Sequence, residues 1–337
     1  MAKTGNKQLG RAKQAKEDEF YTRLEDIERE LSHYKPHFRG KTVLCNCDDP
    51  RISNFFHYFS HQFESLGLKR LITTCYKNQD MDLFSRNTSE RAIYLVYDGD
   101  KNGNRIPDPE EIGIHELKGD GDFRSTECIE LLIQADVVVT NPPFSLFREY
   151  VTQLVQYGKK FLIIGNKNAI HYKEIFSLIK ENKLWAGYRD FSGGMWFQSD
   201  YEGRTEKVID GRKIINVPSI WFTNLDHNKR HEELILYKHY TPAEYPSYDN
   251  FDAIDVGRVT DIPCDWFGLM GVPDTFLDKY NPDQFEIVGL GCGDLAKQIG
   301  VRKNHRGRTD VAYKINGQDK CPYSRIIIRR KQQRSAT

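Results

Sequence analysis

The sequence predicts an α/β protein: a doubly wound, Rossmann-like parallel sheet followed by a separate C-terminal region. Three observations carry this. Short β-branched runs alternate with amphipathic helical segments from residue 42 to residue 181. The most apolar of those runs, Ala135-Asp136-Val137-Val138-Val139-Thr140, ends at two consecutive prolines, Pro142 and Pro143, which cannot continue a ladder and force an extended turn. After Asn224 the alternation stops, and residues 226–337 are rich in Tyr, Pro, Asp and Arg with only short elements. The expected organisation is a basic arm over residues 1–16, an α/β domain over 17–224 and a third region over 225–337.

Each element has a local reason. Leu24, Ile27 and Leu31 have helical spacing and stop before Pro36. Thr42–Asn46 reads as the first strand. Asp49 and Pro50 suit the start of a helix whose apolar face is Phe55, Phe59 and Phe63, with Gly67 ending it. Leu71–Cys75 and Ile93–Tyr97 read as strands. The stretch from Asp98 to Glu110 imitates a calcium loop, but its twelfth position is Pro109 and no helices flank it. A polar hairpin turn is expected there. Gly119-Asp120-Gly121-Asp122-Phe123 ends a further strand, and a helix from Ser125 to Gln134 leads into the Val137–Thr140 strand. Then follow a helix over 145–157, a strand over 161–164, a helix over 171–181 and a strand over 184–188. Val217–Thr223 is expected as one last sheet strand. Such alternation implies right-handed crossovers.

Composition limits the partners. The 337 residues carry a net charge of +1, so the overall balance selects no partner. Its distribution says more: five Lys/Arg and no acid occupy residues 1–16, and twelve Lys/Arg against two acids occupy residues 297–337. Basic ends around a near-neutral body point to a polyanion, with solvated tails as the alternative. Seven cysteines without a Cys-x-x-Cys pair indicate reduced thiols and no zinc site. No signal peptide or apolar run of membrane-spanning length is present, so a soluble cytoplasmic protein is expected, with no membrane partner.

The chemistry centres on Asn141-Pro142-Pro143-Phe144, a rigid loop at the carboxyl end of a strand, where open α/β sheets place ligands. An amide, two prolines and an aromatic ring suit methyl transfer to a planar exocyclic amine. The lone pair of such an amine is delocalised into its ring. The Asn141 side-chain carbonyl and the Pro142 backbone carbonyl can accept its two N–H bonds, which localises the lone pair and stabilises the charge growing on nitrogen. Phe144 offers a face for the base to stack on. The plainer alternative is a strand-ending turn with a core phenylalanine.

Methyl transfer calls for S-adenosylmethionine. Asp122 can accept from the adenine amino group of that cofactor and Phe123 can stack on it. The Asn46-Cys47-Asp48-Asp49 loop, at a helix start, suits its methionine end. A turn-forming aspartate in a Gly-Asp-Gly-Asp string is the alternative for Asp122. No Gly-x-Gly-x-x-Gly follows the first strand, which disfavours a pyrophosphate cofactor. His33 and His37 are separated by a helix-breaking Pro36 and read as surface residues, and no metal is expected. Trp185, Trp196 and Trp221 are candidates to shape a base pocket.

These pieces together resemble the EcoRI-type adenine-specific modification methylases. The matching stretches are Asp18-Glu19-Phe20-Tyr21-Thr22, Cys45-Asn46-Cys47-Asp48-Asp49-Pro50-Arg51, Gly119-Asp120-Gly121-Asp122-Phe123-Arg124-Ser125 and Thr140-Asn141-Pro142-Pro143-Phe144-Ser145-Leu146-Phe147. They continue through Lys160-Phe161-Leu162-Ile163-Ile164, Trp221-Phe222-Thr223-Asn224-Leu225-Asp226, Gly271-Val272-Pro273 and Cys321-Pro322-Tyr323. The resemblance implies a methyltransferase-fold domain with a C-terminal DNA-recognition region. It implies N6-methylation of adenine in double-stranded DNA by base flipping, and a cognate restriction endonuclease acting on the same site. It also places Phe20, Tyr21, Thr22, Cys45, Asn46, Cys47, Asp48, Asp49, Asp122, Phe123 and Asn141 at the cofactor. The broader superfamily has glycines in the first cofactor turn, where this chain has Cys-Asn-Cys-Asp-Asp. Residues 291–312 hold none of these matching stretches, and within them Arg302, Lys303, Arg306 and Arg308 are expected to bind DNA phosphates from a flexible loop. Two other readings share the loop: a methyltransferase of protein glutamine side chains, and a non-catalytic DNA-binding module on the same fold.

Overall fold

The computed structural model describes residues 21–47, 53–75, 92–104, 107–108, 110–198, 207–209 and 212–332. Phe20, Asp48, Asp49 and the basic arm lie outside the described residues. The chain divides into two compact units, one taking residues up to Ala169 together with Gly187–Asp226, the other taking Ile170–Ala186 together with His227 onward. The expected boundary near Asn224 omitted the Ile170–Ala186 segment, which groups with the later residues.

In the first unit the chain runs through β1 (Tyr21–Thr22), helix α1 (Leu24–Leu31), β2 (Thr42–Asn46), α2 (Asn54–His61), a short α3 (Phe63–Leu66) and β3 (Arg70–Thr74). It continues with β4 (Ile93–Tyr97), β5 (Ile112–Glu116), α4 (Thr126–Gln134), β6 (Val137–Thr140), α5 (Phe147–Gln156) and β7 (Lys160–Asn166). Helix α6 (Lys173–Lys180) and β8 (Trp185–Ala186) belong to the second unit. The first then resumes with β9 (Met195–Gln198), β10 (Lys207–Ile209), β11 (Arg212–Val217) and β12 (Ser219–Thr223).

Within this unit the main sheet has the order β5-β4-β3-β2-β6-β7-β12. Its centre, β3-β2-β6-β7, is parallel. Both flanks run antiparallel, as β4 and β5 form a hairpin beside β3 and β12 lies against β7. The sheet is therefore mixed, not wholly parallel. The antiparallel flank has a local cause, because the polar stretch after Asp98 turns the chain back on itself. Gly103 N donates to Asp100 Oδ1 at 2.7 Å, and Glu111 Oε1 accepts from Lys101 N at 2.6 Å. These carboxylates are engaged by their own loop, as a hairpin turn requires.

The expected single strand over Val217–Thr223 is two strands. Pro218 separates β11, in a small sheet of order β1-β9-β11-β10, from β12 in the main sheet. Proline has no N–H for a ladder, while its carbonyl accepts from Lys167 N at 2.8 Å. The expected strand ending at Phe123 stops at Glu116. Helix α2 starts at Asn54 with Ser53 as its cap, the Ser53 hydroxyl accepting from Phe55 N at 3.2 Å. Gly67 closes α3 with φ +62°, a left-handed end that glycine adopts without a Cβ penalty.

One core cluster joins Phe55, Phe59 and Phe63 from the α2–α3 segment to Val43, Val139, Leu162, Ile164 and Trp221 of the sheet and to Phe197 of β9. The second unit has its own sheet, β13 (Ile254–Asp255), β14 (Leu269–Pro273), β18 (Arg325–Arg330) and β15 (Phe285–Leu290), in that spatial order. Helix α7 (Gly293–Gln298) packs near β15, and a hairpin of β16 (Tyr313–Ile315) and β17 (Gln318–Lys320) follows.

Gly121 sits at a tight approach. Its φ is +80°, and a Cβ there would lie 2.1 Å from the Cys75 carbonyl oxygen at the end of β3. Gly121→Ala is expected to cost roughly 1–2 kcal/mol for the left-handed backbone and about 1–3 kcal/mol more for the overlap. Denaturant unfolding measures it, and a midpoint equal to wild type would show that the Gly-Asp-Gly-Asp loop does not pack there.

Candidate active site

Asn46 closes β2 and Thr140 closes β6, and the two strands are parallel neighbours. From β2 the chain proceeds to β3 on one side, and from β6 to β7 on the other, so the winding reverses between them. Such a switch point, beyond the carboxyl ends of the strands, is where open α/β sheets bind ligands. Thr140 Oγ1 donates to the Asn46 carbonyl and ties the two strand ends together.

Tyr150 of α5 extends this junction. Its hydroxyl donates to Asn46 Oδ1, and its ring packs edge-on against Phe123 with centroids 5.0 Å apart. Gln153, nearly one turn later, donates to the Phe123 carbonyl at 3.1 Å. Two stretches far apart in sequence, the end of β2 and the Asp122-Phe123 pair, therefore meet through one tyrosine, and Thr140 ties the strand that precedes Asn141 to the same end of β2. Burial pushes the Tyr150 phenol well up from its ordinary value, so it stays a neutral donor. Sequence reasoning passed over Tyr150. Its signal was only its place on the apolar face of α5 with Phe147, Val151 and Leu154.

Asp122 has a partner that the sequence reading did not assign. Its Oδ1 accepts from Arg124 Nε at 2.9 Å and from Arg124 N at 2.8 Å, and its Oδ2 accepts from Arg124 Nη2 at 2.6 Å. The same guanidinium donates to Glu149 at 2.9 Å and lies 5.3 Å from the Phe123 ring centroid. The hydrogen bond from Arg124 holds the Asp122 carboxyl below the usual carboxylate range, so it is ionised at neutral pH. Arg124 orients the carboxylate and leaves a lone pair on Oδ2 for a further donor.

Cys47 takes φ +81°, the left-handed region that glycine occupies at little cost. The turn thus adopts a glycine-like conformation without a glycine, a strained feature of the kind found at functional sites. Cys45 is buried in the core, within the central strand β2. Tyr21 and Thr22 pair with Gln198 and Phe197, and Asn54 Nδ2 donates to the Thr22 carbonyl at 2.7 Å. The hydroxyls of Thr22 and of Thr73, near the end of β3, are buried with no hydrogen-bond partner among the described residues.

The Asn141 side chain is 7% exposed, Pro142 is buried and Pro143 half-buried. A 3-10 turn over Phe144–Leu146 then leads into α5. Phe144 packs edge-on against Phe197, centroids 6.3 Å apart, and belongs to the core cluster, which fixes its ring. Of the tryptophans, Trp221 is buried edge-on to Phe55. Trp196 on β9 has Lys207 Nζ 4.7 Å from its ring centroid, and Trp185 lies in the second unit beneath Arg230.

Arg302, Lys303, Arg306 and Arg308 are all exposed in the second unit, and none has an ion-pair partner among the described residues. Their loop is a braced turn, not a flexible one. Asn304 Oδ1 accepts from Arg306 N at 2.9 Å and from Arg308 N at 3.2 Å, while Asn304 Nδ2 donates to the Asp310 carbonyl at 3.0 Å. The same unit brings one side-chain nitrogen, sulfur or carboxylate oxygen from each of His239, Cys264 and Asp265 within 4.8 Å of one another, a mostly exposed group that sequence spacing did not reveal.

An Asn-Pro-Pro-aromatic loop at the reversal point of an α/β sheet, with an Asp-Phe pair in the same unit, is the arrangement expected of an amine-directed methyltransferase. This chain belongs to the adenine-specific methyltransferase EcoRI family, whose model matches residues 8–331. It is 48% identical over 334 residues to the type II methyltransferase M.EcoRI of Escherichia coli, covering 97% of each chain. It is 40% identical over 334 residues to the type II methyltransferase M.MpnI of Mycoplasma pneumoniae, covering 96% of this chain and 98% of that one. A type II methyltransferase from Mycoplasma genitalium is 39% identical over 336 residues, covering 96% and 99%. No solved structure matches the chain.

Proposed function

We propose that this adenine-specific methyltransferase modifies N6 of adenine at a short site in duplex DNA, with S-adenosylmethionine as methyl donor, as the protective half of a restriction–modification pair. The observation that supports it most is the position of Asn141-Pro142 at the β2/β6 reversal, beside the strand end that Tyr150 links to Asp122-Phe123. In this reading Asn141 Oδ1 and Pro142 O accept the two N–H bonds of the target amine and turn its lone pair toward the methyl group. Their dipoles are preorganised where positive charge grows on nitrogen. An amine paired inside a duplex cannot present that lone pair, so the base leaves the helix and stacks on Phe144.

The residues fit the cofactor. The ionised Asp122 carboxylate can accept from its adenine amino group and Phe123 can cover its ring. The hydroxyls of Thr22 and Thr73, which have no partner among the described residues, and the turned backbone at Cys47 could supply further polar contacts. When bound, S-adenosylmethionine supplies an electrophilic methyl whose sulfur leaves with the bonding pair. One amine proton is then released to solvent. Replacing Asp122 by alanine is expected to weaken cofactor binding about ten- to a hundredfold, the worth of a charge-assisted hydrogen bond, with most turnover recovered at saturating cofactor. Unchanged affinity by calorimetry would contradict the role.

We also assign DNA recognition to the second unit, with the Arg302–Arg308 turn on phosphates. Incubation with methyl-labelled cofactor and duplex DNA tests the reading as a whole. Label is expected in DNA, in N6-methyladenine, and EDTA is expected to leave the rate unchanged. Label in protein would support a glutamine-directed enzyme, and DNA binding without label a non-catalytic module.

A further inference from the structure

Asn166 ends β7, and Ser219 begins β12 directly opposite it. Cross-strand partners share a face of the sheet. Two residues deeper, Ile164 faces Trp221 on that same face, and both belong to the core cluster that contains Val139 and Phe144. Asn141 stands two residues beyond Val139, so strand alternation aims it to the same side. Strands β6 and β7 are parallel neighbours with Thr140 level with Ile163. Asn166 therefore stands about 5 Å to the side of the catalytic loop and roughly 7 Å further along, from ordinary strand spacings. That interval suits one purine held between two short amide side chains.

This pair has unused hydrogen-bonding capacity. Asn166 Nδ2 and Ser219 Oγ are both buried and have no hydrogen-bond partner among the described residues. The amide cannot simply be reversed, because Asn166 Oδ1 accepts from Asn168 N at 2.9 Å, and this fixes Nδ2 as the end that points away. Ser219 is only 2% exposed. Buried donors of this kind are rare and costly in native proteins unless a ligand meets them.

We propose that Asn166 and Ser219 form the donor edge of the base pocket, hydrogen-bonding a ring nitrogen of the extruded adenine that flanks its amine. The proposal rests on the amine-directed reading of Asn141 and adds the donor that reads the ring nitrogen beside the amine. Asn141 and Pro142 accept from the amine and Asn166 donates to N1 or N7 beside it. Acceptors on one side and donors on the other match adenine. A base with a carbonyl at that position would meet the Asn141 carbonyl oxygen with another acceptor.

Single-atom substrate changes test this. DNA carrying 1-deazaadenine or 7-deazaadenine at the target removes one ring nitrogen at a time. The wild-type protein is expected to lose about a hundredfold in kcat/KM on one of the two, and little on 3-deazaadenine. Asn166→Asp keeps the oxygen that Asn168 uses and replaces the N–H donors. It is expected to lose about a hundredfold on normal DNA and to show almost no further loss on the sensitive analogue, with cofactor affinity unchanged. Ser219→Ala, a smaller change, is expected to lose about tenfold with the same non-additivity, and serves if Asn166→Asp does not fold. Losses that multiply independently, or a wild-type protein indifferent to all three analogues, would overturn the proposal. An active Asn141→Ala variant would instead overturn the reading on which it rests, so the two failures are distinguishable.

Discussion

Replacing Asn141 by alanine is expected to reduce turnover by about 10²–10³, the usual cost of deleting one preorganised partner of a charge-developing transition state. The fold is expected to survive, because the loop is supported independently. Thr140 is tied to the Asn46 carbonyl, Phe144 is held by Phe197, and the two prolines fix their own backbone. DNA affinity is expected to stay near wild type in equilibrium titrations. The defect therefore belongs in kcat under single-turnover conditions. Turnover within a few-fold of wild type would remove Asn141 from the chemistry and return the loop to a structural turn.

The second large effect concerns DNA affinity. Substituting Arg302, Lys303, Arg306 and Arg308 together by glutamine is expected to weaken binding to all duplexes about equally. It is also expected to flatten the slope of log affinity against log salt by about 0.9 for each lost phosphate contact. The four side chains are exposed, and Asn304 braces the backbone between them, so the charges are displayed in a defined arrangement. Phosphate is the commoner destination for such residues. Titrations from low to moderate salt measure the slope, and turnover at saturating DNA is expected to persist. An unchanged slope would make this a solvated surface turn, and a loss confined to one sequence would make it a reader of base edges.

The two sets of residues were legible to different degrees. Asn141 announces itself, because an apolar β-branched run followed by two prolines admits few local structures, and the loop does stand at the end of β6. The hairpin over 98–111 was equally readable, since its polar residues are consumed by their own backbone. The Arg302–Arg308 segment was visible as charge, but the hydrogen bonds that brace its turn were not. The contact that stiffens it, from Asn304 to Asp310, is a side-chain detail with no periodic signature.

By itself the sequence determined most of the alternating strands and helices between residues 42 and 181 and where the chain turns at its prolines, and it offered Asn141-Pro142-Pro143-Phe144 as the candidate for an amine-directed chemistry. All of these are local: side-chain branching, helical spacing, and the fixed φ and missing N–H of proline act within a few residues. The tertiary structure alone decided the rest. It set β4, β5 and β12 antiparallel to the strands beside them and assigned the two sides of Pro218 to different sheets. It joined Tyr150 to Asn46 across 104 positions and placed Asn166 opposite Ser219. The physical reason is that strand direction, register and side-chain hydrogen bonds are set by pairings between distant residues. Many such pairings suit the same local sequence, and only packing the whole core selects one of them.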